Sequence, residues 1–303
     1  MARLSRWDIA PGGRTRDDVG VLVGAHASLG LSAVGLVVEI ALGGAYIAAA
    51  MQPSPRGNRW PLARTVSFLA GLVLLAEATQ GPLVAHDDLL WVHGAQHLVL
   101  MMVVPPLLVL GAPITLLLRT LSPRARREVV AVLHDPAMKA VSGTTAGVAL
   151  TIEYQATMFL VLLTPLYRLS LEHESVHVAV HAYLLTCGLL FWMPLVGRDP
   201  AGWRPSPRAK VWMVASGIPA YAVLGIVLVG RDTPLGGLGT LADTHAGGWV
   251  LGVGGLVLTA AGLTLVAAQR TGTRSGSRDR WNARRMFAIK RAIRTQQAID
   301  PEP

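Results

Sequence analysis

The chain has 303 residues, of which 52% are hydrophobic and only 15% charged, with a mean hydropathy of +0.46. A soluble globular protein carries about 25% charged residues, so the composition excludes the two ordinary soluble domains that the length alone suggests. The net charge is nevertheless +9; a chain this apolar makes a poor nucleic-acid binder, and the basic excess bears instead on membrane orientation. The single cysteine, Cys187, excludes an intrachain disulfide, a CxxC metal site and cysteine-pair redox chemistry.

A helix needs about 20 apolar residues to cross ~30 Å of hydrocarbon. Seven stretches qualify in chain order: 19–51, 65–86, 89–118, 140–167, 175–197, 211–230 and 244–269. Within them only Glu39, Glu77 and Glu153 carry formal charge, and 42 of the 45 charged residues fall in connections and tails. A soluble helical bundle would instead show polar helix faces. The expected fold is therefore all-α: a polytopic bundle of seven transmembrane helices over 19–269, with a tail at 1–18 and a basic tail at 270–303. No internal repeat is evident, and an apolar run of about 30 residues far exceeds a signal-peptide core of 7–15.

Lys and Arg set the expected orientation. The segments between spans 1 and 2, 3 and 4, 5 and 6, and after span 7 carry 3, 5, 4 and 9 of them, 21 of the 27 in all. The positive-inside rule places these in the cytoplasm, with the N-terminus outside. Arg3, Arg6, Arg14 and Arg16 in the first tail oppose this, and the larger total outweighs them. The last tail interleaves nine basic residues with Trp281, Phe287, Ile289 and Ile293. It is either a solvated stop-transfer segment or a basic helix lying on anionic lipid.

The histidines fall on the other side. Of nine, only His134 lies in an expected cytoplasmic loop; His26, His86, His93, His97, His173, His177, His181 and His245 lie at or near outer span ends. His93 and His97 are four apart at the start of span 3, and His173, His177 and His181 repeat that spacing into span 5. Residues at i and i+4 share a helix face, so two such helices side by side could aim four nitrogens at one ion. Met101 extends the first stripe, and thioether beside imidazole favours copper over magnesium or calcium. Asp243 and His245 at the start of span 7 are a further ligand or supporting pair. Imidazole must be neutral to bind metal, so affinity is expected to fall below about pH 6.

Two other features concern the membrane interior. A charged side chain at mid-membrane costs roughly 2.5–3.5 kcal/mol or more, so Glu39, Glu77 and Glu153 are expected to face the bundle interior. Pro105 and Pro106 inside span 3, with Gly111 and Pro113 beyond, predict a kink or break there, and Pro194 and Pro219 smaller bends.

The segment HGAQHLVLMMVVPPLLVLGAPITLLLR at 93–119 resembles the signature of the seven-span CtaG family of cytochrome c oxidase assembly proteins. TPLY at 164–167, HVAVH at 177–181 and GLLFWMPLVGRDP at 188–200 follow in the same order, and the resemblance covers roughly 20–270. It implies a multi-pass protein of a bacterial cell membrane that helps mature a terminal oxidase, whose subunits would be its partners, by supplying copper. The family's functional histidines carry over onto His93, His97, His177 and His181. Two departures stand out: Gly94 replaces a larger apolar residue, and DTHAGGW at 243–249 has His245 where the family often has glutamine.

The first expectation is thus a non-enzymatic assembly factor with copper as its metal, held by His93, His97, His177 and His181, with Met101, His173 and His245 auxiliary. No nucleophile–base pair, Walker loop or dinucleotide fingerprint is present to suggest enzyme chemistry. The alternatives are a redox protein holding haem between two spans through residues such as His97 and His181, and a copper transport or resistance protein. The last would need ligands through the full depth of the membrane, where the chain offers only glutamates.

Overall fold

The computed structural model describes the backbone of residues 16–53, 58–86, 88–133, 143–199 and 203–269, and within these the side chains from residue 33 onward apart from those of residues 85, 132 and 133. The basic tail, His134 and the side chain of His26 lie outside the described residues. Among the described residues the structure is helical, without strands, and seven helical segments are long and apolar enough to span a membrane. These are Ala33–Met51, Leu62–Val84, Leu90–Thr120, Thr144–Leu163, Glu174–Val196, Pro207–Val229 and Leu241–Gln269, numbered spans 1 to 7. The end at which spans 3 and 5 begin is called the upper end. Span 1 continues a helix that starts at Arg16. The predicted fourth span, 140–167, is shorter in the structure, because Thr164 leaves helical geometry and Leu166–Glu172 forms a separate short helix.

Span 3 is the axis of the bundle. It packs against spans 2, 5 and 7, and its last helix meets span 1. Leu100, Met101, Val104 and Ala112 have no exposed surface. Span 1 touches span 2 and the end of span 3, and shows most of its apolar side chains outward, Val37 and Ile40 at 65% exposure. That is the pattern of a peripheral helix in lipid, where apolar exposure carries no penalty.

The break in span 3 falls at the Gly111–Pro113 end of the expected stretch rather than at the proline pair. Pro105 and Pro106 sit in the first turn of the helix Val104–Leu110, where a missing N–H is tolerated. The preceding turn, Val99–Val103, widens into a π-helix, and Val104 N donates to Val99 O. The chain breaks lower down, at Gly111 and Ala112, where Ala112 takes a left-handed conformation (φ 53°) before Pro113 starts the last helix. Span 6 is interrupted once, at Ser216.

The interior expectation for the glutamates holds for one of three. Glu39 is buried at 9% exposure and accepts from Gln80 Nε2 at 3.5 Å. Glu77 and Glu153 lie on the exposed surface of the bundle. Glu153 accepts the Tyr183 hydroxyl at 3.2 Å; a hydrogen-bonded partner on the next span offsets part of the cost that motivated the interior expectation. Glu77 sits in the last turn of its helix, where a side chain can reach the membrane boundary.

Small residues set the closest helix approach. A Cβ on Gly225 would stand 2.9 Å from Gly252 Cα, and one on Gly252 would stand 3.0 Å from Gly225 Cα. Spans 6 and 7 therefore touch backbone to backbone, as membrane helices do where glycine permits it. Gly225→Leu should drive the two apart and lower the melting temperature of detergent-solubilised protein, by the equivalent of about 1–3 kcal/mol or more. An unchanged melting curve would refute this contact.

Candidate functional site

The site begins with matching offsets. His93 and His97 lie three and seven residues into a helix that starts at Leu90, and His177 and His181 lie three and seven residues into one that starts at Glu174. Spans 3 and 5 begin at the same end of the bundle, so the two pairs stand level. Ring centroids of His93 and His97 are 4.2 Å apart, and those of His177 and His181 also 4.2 Å. Across the seam, His93 to His177 is 5.2 Å, His97 to His181 5.3 Å and His93 to His181 6.3 Å. Four imidazoles thus meet in one cluster.

The cluster is buried at its deep side. His93 and His97 are fully buried, while His177 and His181 are half-buried. Both ring nitrogens of His97 lie out of solvent with no hydrogen-bond partner. Such a group costs on the order of 1–3 kcal/mol while unsatisfied. Nε2 of His177 and Nε2 of His181 are 2.9 Å apart, a distance that requires one donor and one acceptor, as between neutral imidazoles. Among the described residues, no three His, Cys, Asp or Glu side chains already stand in ion-holding geometry. Closing around an ion therefore requires ring rotation.

Neighbouring spans hold the two histidine helices in place. The helix Leu90–Leu98 has no cap of its own. Asp243, at the start of span 7, accepts the Leu90 N–H at 2.8 Å and the Trp91 N–H at 3.5 Å. A carboxylate there satisfies free amides and opposes the positive end of the helix dipole. Asp243 is thus a cap for the helix that carries His93 and His97. Gly94 leaves room for fully buried Leu251 of span 7; a Cβ there would lie 3.0 Å from Leu251 Cγ. Gly188 does the same for spans 3 and 5, since its Cβ would meet Pro105 Cγ at 2.5 Å and Met101 O at 2.8 Å. Below the histidines, Trp192 Nε1 donates to the Tyr154 hydroxyl at 3.2 Å, and that hydroxyl donates to Met101 O at 3.2 Å. Pro105 has no N–H for the Met101 carbonyl four residues back, so the Tyr154 hydroxyl supplies the missing donor.

The other expected site residues are spread more widely. Met101 is fully buried in the π-helical turn below His97. His173 does not continue the His177–His181 face: it is exposed, has extended backbone, and precedes the first helical residue, Glu174. Its carbonyl instead accepts the Val176 and His177 amides at 3.0 Å each. His245 Nε2 lies 2.9 Å from the Arg231 carbonyl, tying span 7 to the preceding loop. His86 is exposed at the end of a short turn. One site neighbour was missed by residue-type reasoning. Tyr167, the last residue of TPLY, sets its buried ring edge-on to His93 at 5.5 Å. Its motif was visible in the sequence, but nothing in local spacing points a tyrosine between spans 4 and 5 at a histidine on span 3.

Residues 44–272 match the sequence profile of the cytochrome c oxidase caa3 assembly factor family. The chain belongs to that family. As a caa3 assembly factor family member it is also 28% identical, over 239 residues, to uncharacterised proteins of Mycobacterium bovis and Mycobacterium tuberculosis, covering 73% of this chain and 35% of each relative. An uncharacterised protein of Mycobacterium leprae is 28% identical over 230 residues, 70% of this chain and 34% of that protein. The chain thus spans about a third of the length of these curated relatives. No solved structure matches it.

The cap makes a specific prediction. Asp243→Ala should destabilise the protein by about 1 kcal/mol, and Asp243→Asn by clearly less, because asparagine retains a capping oxygen. Thermal melts of metal-free protein in detergent measure both, and equal melting points for wild type and Asp243→Ala would exclude the cap.

Proposed function

We propose that this caa3 assembly factor family member binds copper between spans 3 and 5 at the outer face of a bacterial cell membrane and passes it to a subunit of the oxidase under assembly. The ligands are His93, His97, His177 and His181. The observation that carries this reading is the meeting of four imidazoles, one of which, His97, keeps both buried nitrogens without a partner. An all-imidazole set suits copper, zinc and nickel rather than magnesium or calcium; the family's role in oxidase maturation and buried Met101 beneath the cluster favour copper. Copper is cargo in this reading, and the chain's own work is to hold the ion, exclude water at the deep side and present it toward half-buried His177 and His181. That role is non-catalytic.

The geometry disfavours the haem reading. A porphyrin needs a broad open slot around its axial imidazoles, whereas here all four rings crowd together and His177 Nε2 stands 2.9 Å from His181 Nε2. Such crowding suits a small ion, reached by ring rotation, better than a macrocycle. Transport through the membrane is disfavoured by what lies beneath. Leu100, Val104 and Leu108 are buried apolar residues, and Glu77 and Glu153 face outward.

Metal analysis of purified protein tests the assignment. Wild type loaded with copper and dialysed should retain it, and His97→Ala and His181→Ala should each lose most of it. Negligible copper in wild type, or unchanged copper in both variants, overturns the site. A reducible Soret band in the visible spectrum would replace copper with haem. Cells carrying His97→Ala should also show a copper-poor oxidase despite normal levels of the assembly factor.

A further inference from the structure

The lower end of the bundle holds a second constellation, opposite the histidines and roughly 30 Å along span 3 from His97. A cleft of about 670 Å³ opens there, lined by Gln52, Asn58, Arg59, Trp60 and Arg119 among others. Its volume lies in the range of small-molecule sites. Trp60 is its fixed wall. The indole Nε1 donates to the Tyr46 hydroxyl at 3.0 Å, and that hydroxyl donates to Gly111 O at 2.7 Å. Tyr46 in turn stacks on Phe68 with centroids 4.1 Å apart. Two guanidinium groups stand over the indole ring, Arg64 at 4.8 Å and Arg119 at 5.8 Å from its centroid.

The charges at this end do not cancel. Among the described residues, no carboxylate lies within ion-pair distance of Arg59, Arg64 or Arg119. Arg198 adds a further positive charge close enough to repel Arg64. The acid that acts on Arg64, Asp199, is engaged elsewhere. Its oxygens accept the Ile114 N–H at 3.2 Å and the Thr115 N–H and hydroxyl at 2.6 Å each. Arg119 Nη2 donates to Gln52 O at 3.2 Å and Asn58 O at 2.9 Å, while its Nε stays buried without a partner. Two carbonyls fix the Arg119 guanidinium at the cleft wall, and no carboxylate among the described residues neutralises it, so its charge favours an anion in the cleft.

We infer that this cleft binds an anionic phosphate group, with Arg59 and Arg119 as its cationic donors and Trp60 as the rigid wall. Guanidinium groups match phosphate oxygens in charge and fork geometry. The cleft lies where three spans end, beside a tryptophan of the kind that anchors at the membrane–water interface. Phosphates of anionic lipids are concentrated at that level on the basic side of a membrane protein. A lipid headgroup and a free phosphate share this chemistry, and the test separates them.

Purified full-length protein in neutral detergent is titrated with phosphatidylglycerol, with phosphatidylcholine and with inorganic phosphate. Bound lipid is read by native mass spectrometry and stabilisation by thermal melting. Phosphatidylglycerol should bind more tightly than phosphatidylcholine, and Arg59→Gln should weaken it roughly tenfold, the loss expected for one charge-assisted hydrogen bond. Arg119→Gln should weaken it at least as much. Arg59 keeps the test decisive if the Arg119 variant fails to fold, because Arg59 is exposed. Arginine-dependent stabilisation by inorganic phosphate, without any lipid preference, would support the site and assign it to a soluble phosphate. The inference is overturned if neither ligand binds, or if binding is unchanged in Arg59→Gln.

Discussion

A broken helix at the centre of a membrane protein must find hydrogen-bond partners for the backbone groups it frees, because hydrocarbon supplies none and each orphan costs several kcal/mol. Span 3 is such a helix, and each irregularity in it is met by a different part of the bundle. Asp243 of span 7 takes the amides of its first turn. Tyr154 of span 4 takes the carbonyl that Pro105 leaves open. Ser67 of span 2 donates to Leu107 O at 2.7 Å, and Tyr46 of span 1 donates to Gly111 O. Asp199, after span 5, receives the amides of Ile114 and Thr115. Arg204 holds that last loop by donating to the carbonyls of Gly197 and Asp199 at 2.7 Å each. The histidine pair of span 3 is therefore positioned by the whole bundle.

What could be seen in the sequence follows from the range of the forces involved. The seven spans were legible because hydrophobic length is local and strong. The pairs His93–His97 and His177–His181 were legible because helical spacing is local too. Where they meet depends on both helices starting at the same level, which the expected starts at 89 and 175 place within one residue of Leu90 and Glu174, and on spans 3 and 5 being neighbours, which hydrophobic length does not reveal. His173 escaped because one residue beyond a helix start breaks the i,i+4 series. The outward placement of Glu77 and Glu153 was hidden for a related reason. Glu153 satisfies its carboxylate on Tyr183, 30 residues away, and Glu77 lies in the last turn of a helix that ends at Gln80, short of the expected end at 86. For Asp243 the sequence left a ligand and a supporting role open, because its contact with the Leu90 amide joins residues 153 positions apart.

The two ends of the bundle carry opposite chemistry. At the upper end imidazoles cluster and Asp243 serves the backbone. At the lower end arginines gather around Trp60, and the acid near them, Asp199, is again spent on the backbone. Asp243 and Asp199, one at each end, thus act as helix caps. Among the described residues, both ring nitrogens of His97 and Nε of Arg119 stay buried without a hydrogen-bond partner.

The π-helical turn at Val99–Val103 sets a direction of sight. An α-helix turns about 100° per residue, so one extra residue in a turn swings everything above it by about that angle around the helix axis. The azimuth of His93 and His97 toward span 5 is thus independent of the face that span 3 shows lower down, where Leu108 packs against Gly71 of span 2. Span 7 carries a matching π-helical turn at Val250–Gly254, just below the segment that bears Asp243. The upper halves of spans 3 and 7 are re-aimed at the same depth and joined by the Asp243 cap. They form a small turret, set at its own angle on a bundle whose lower half answers to different packing.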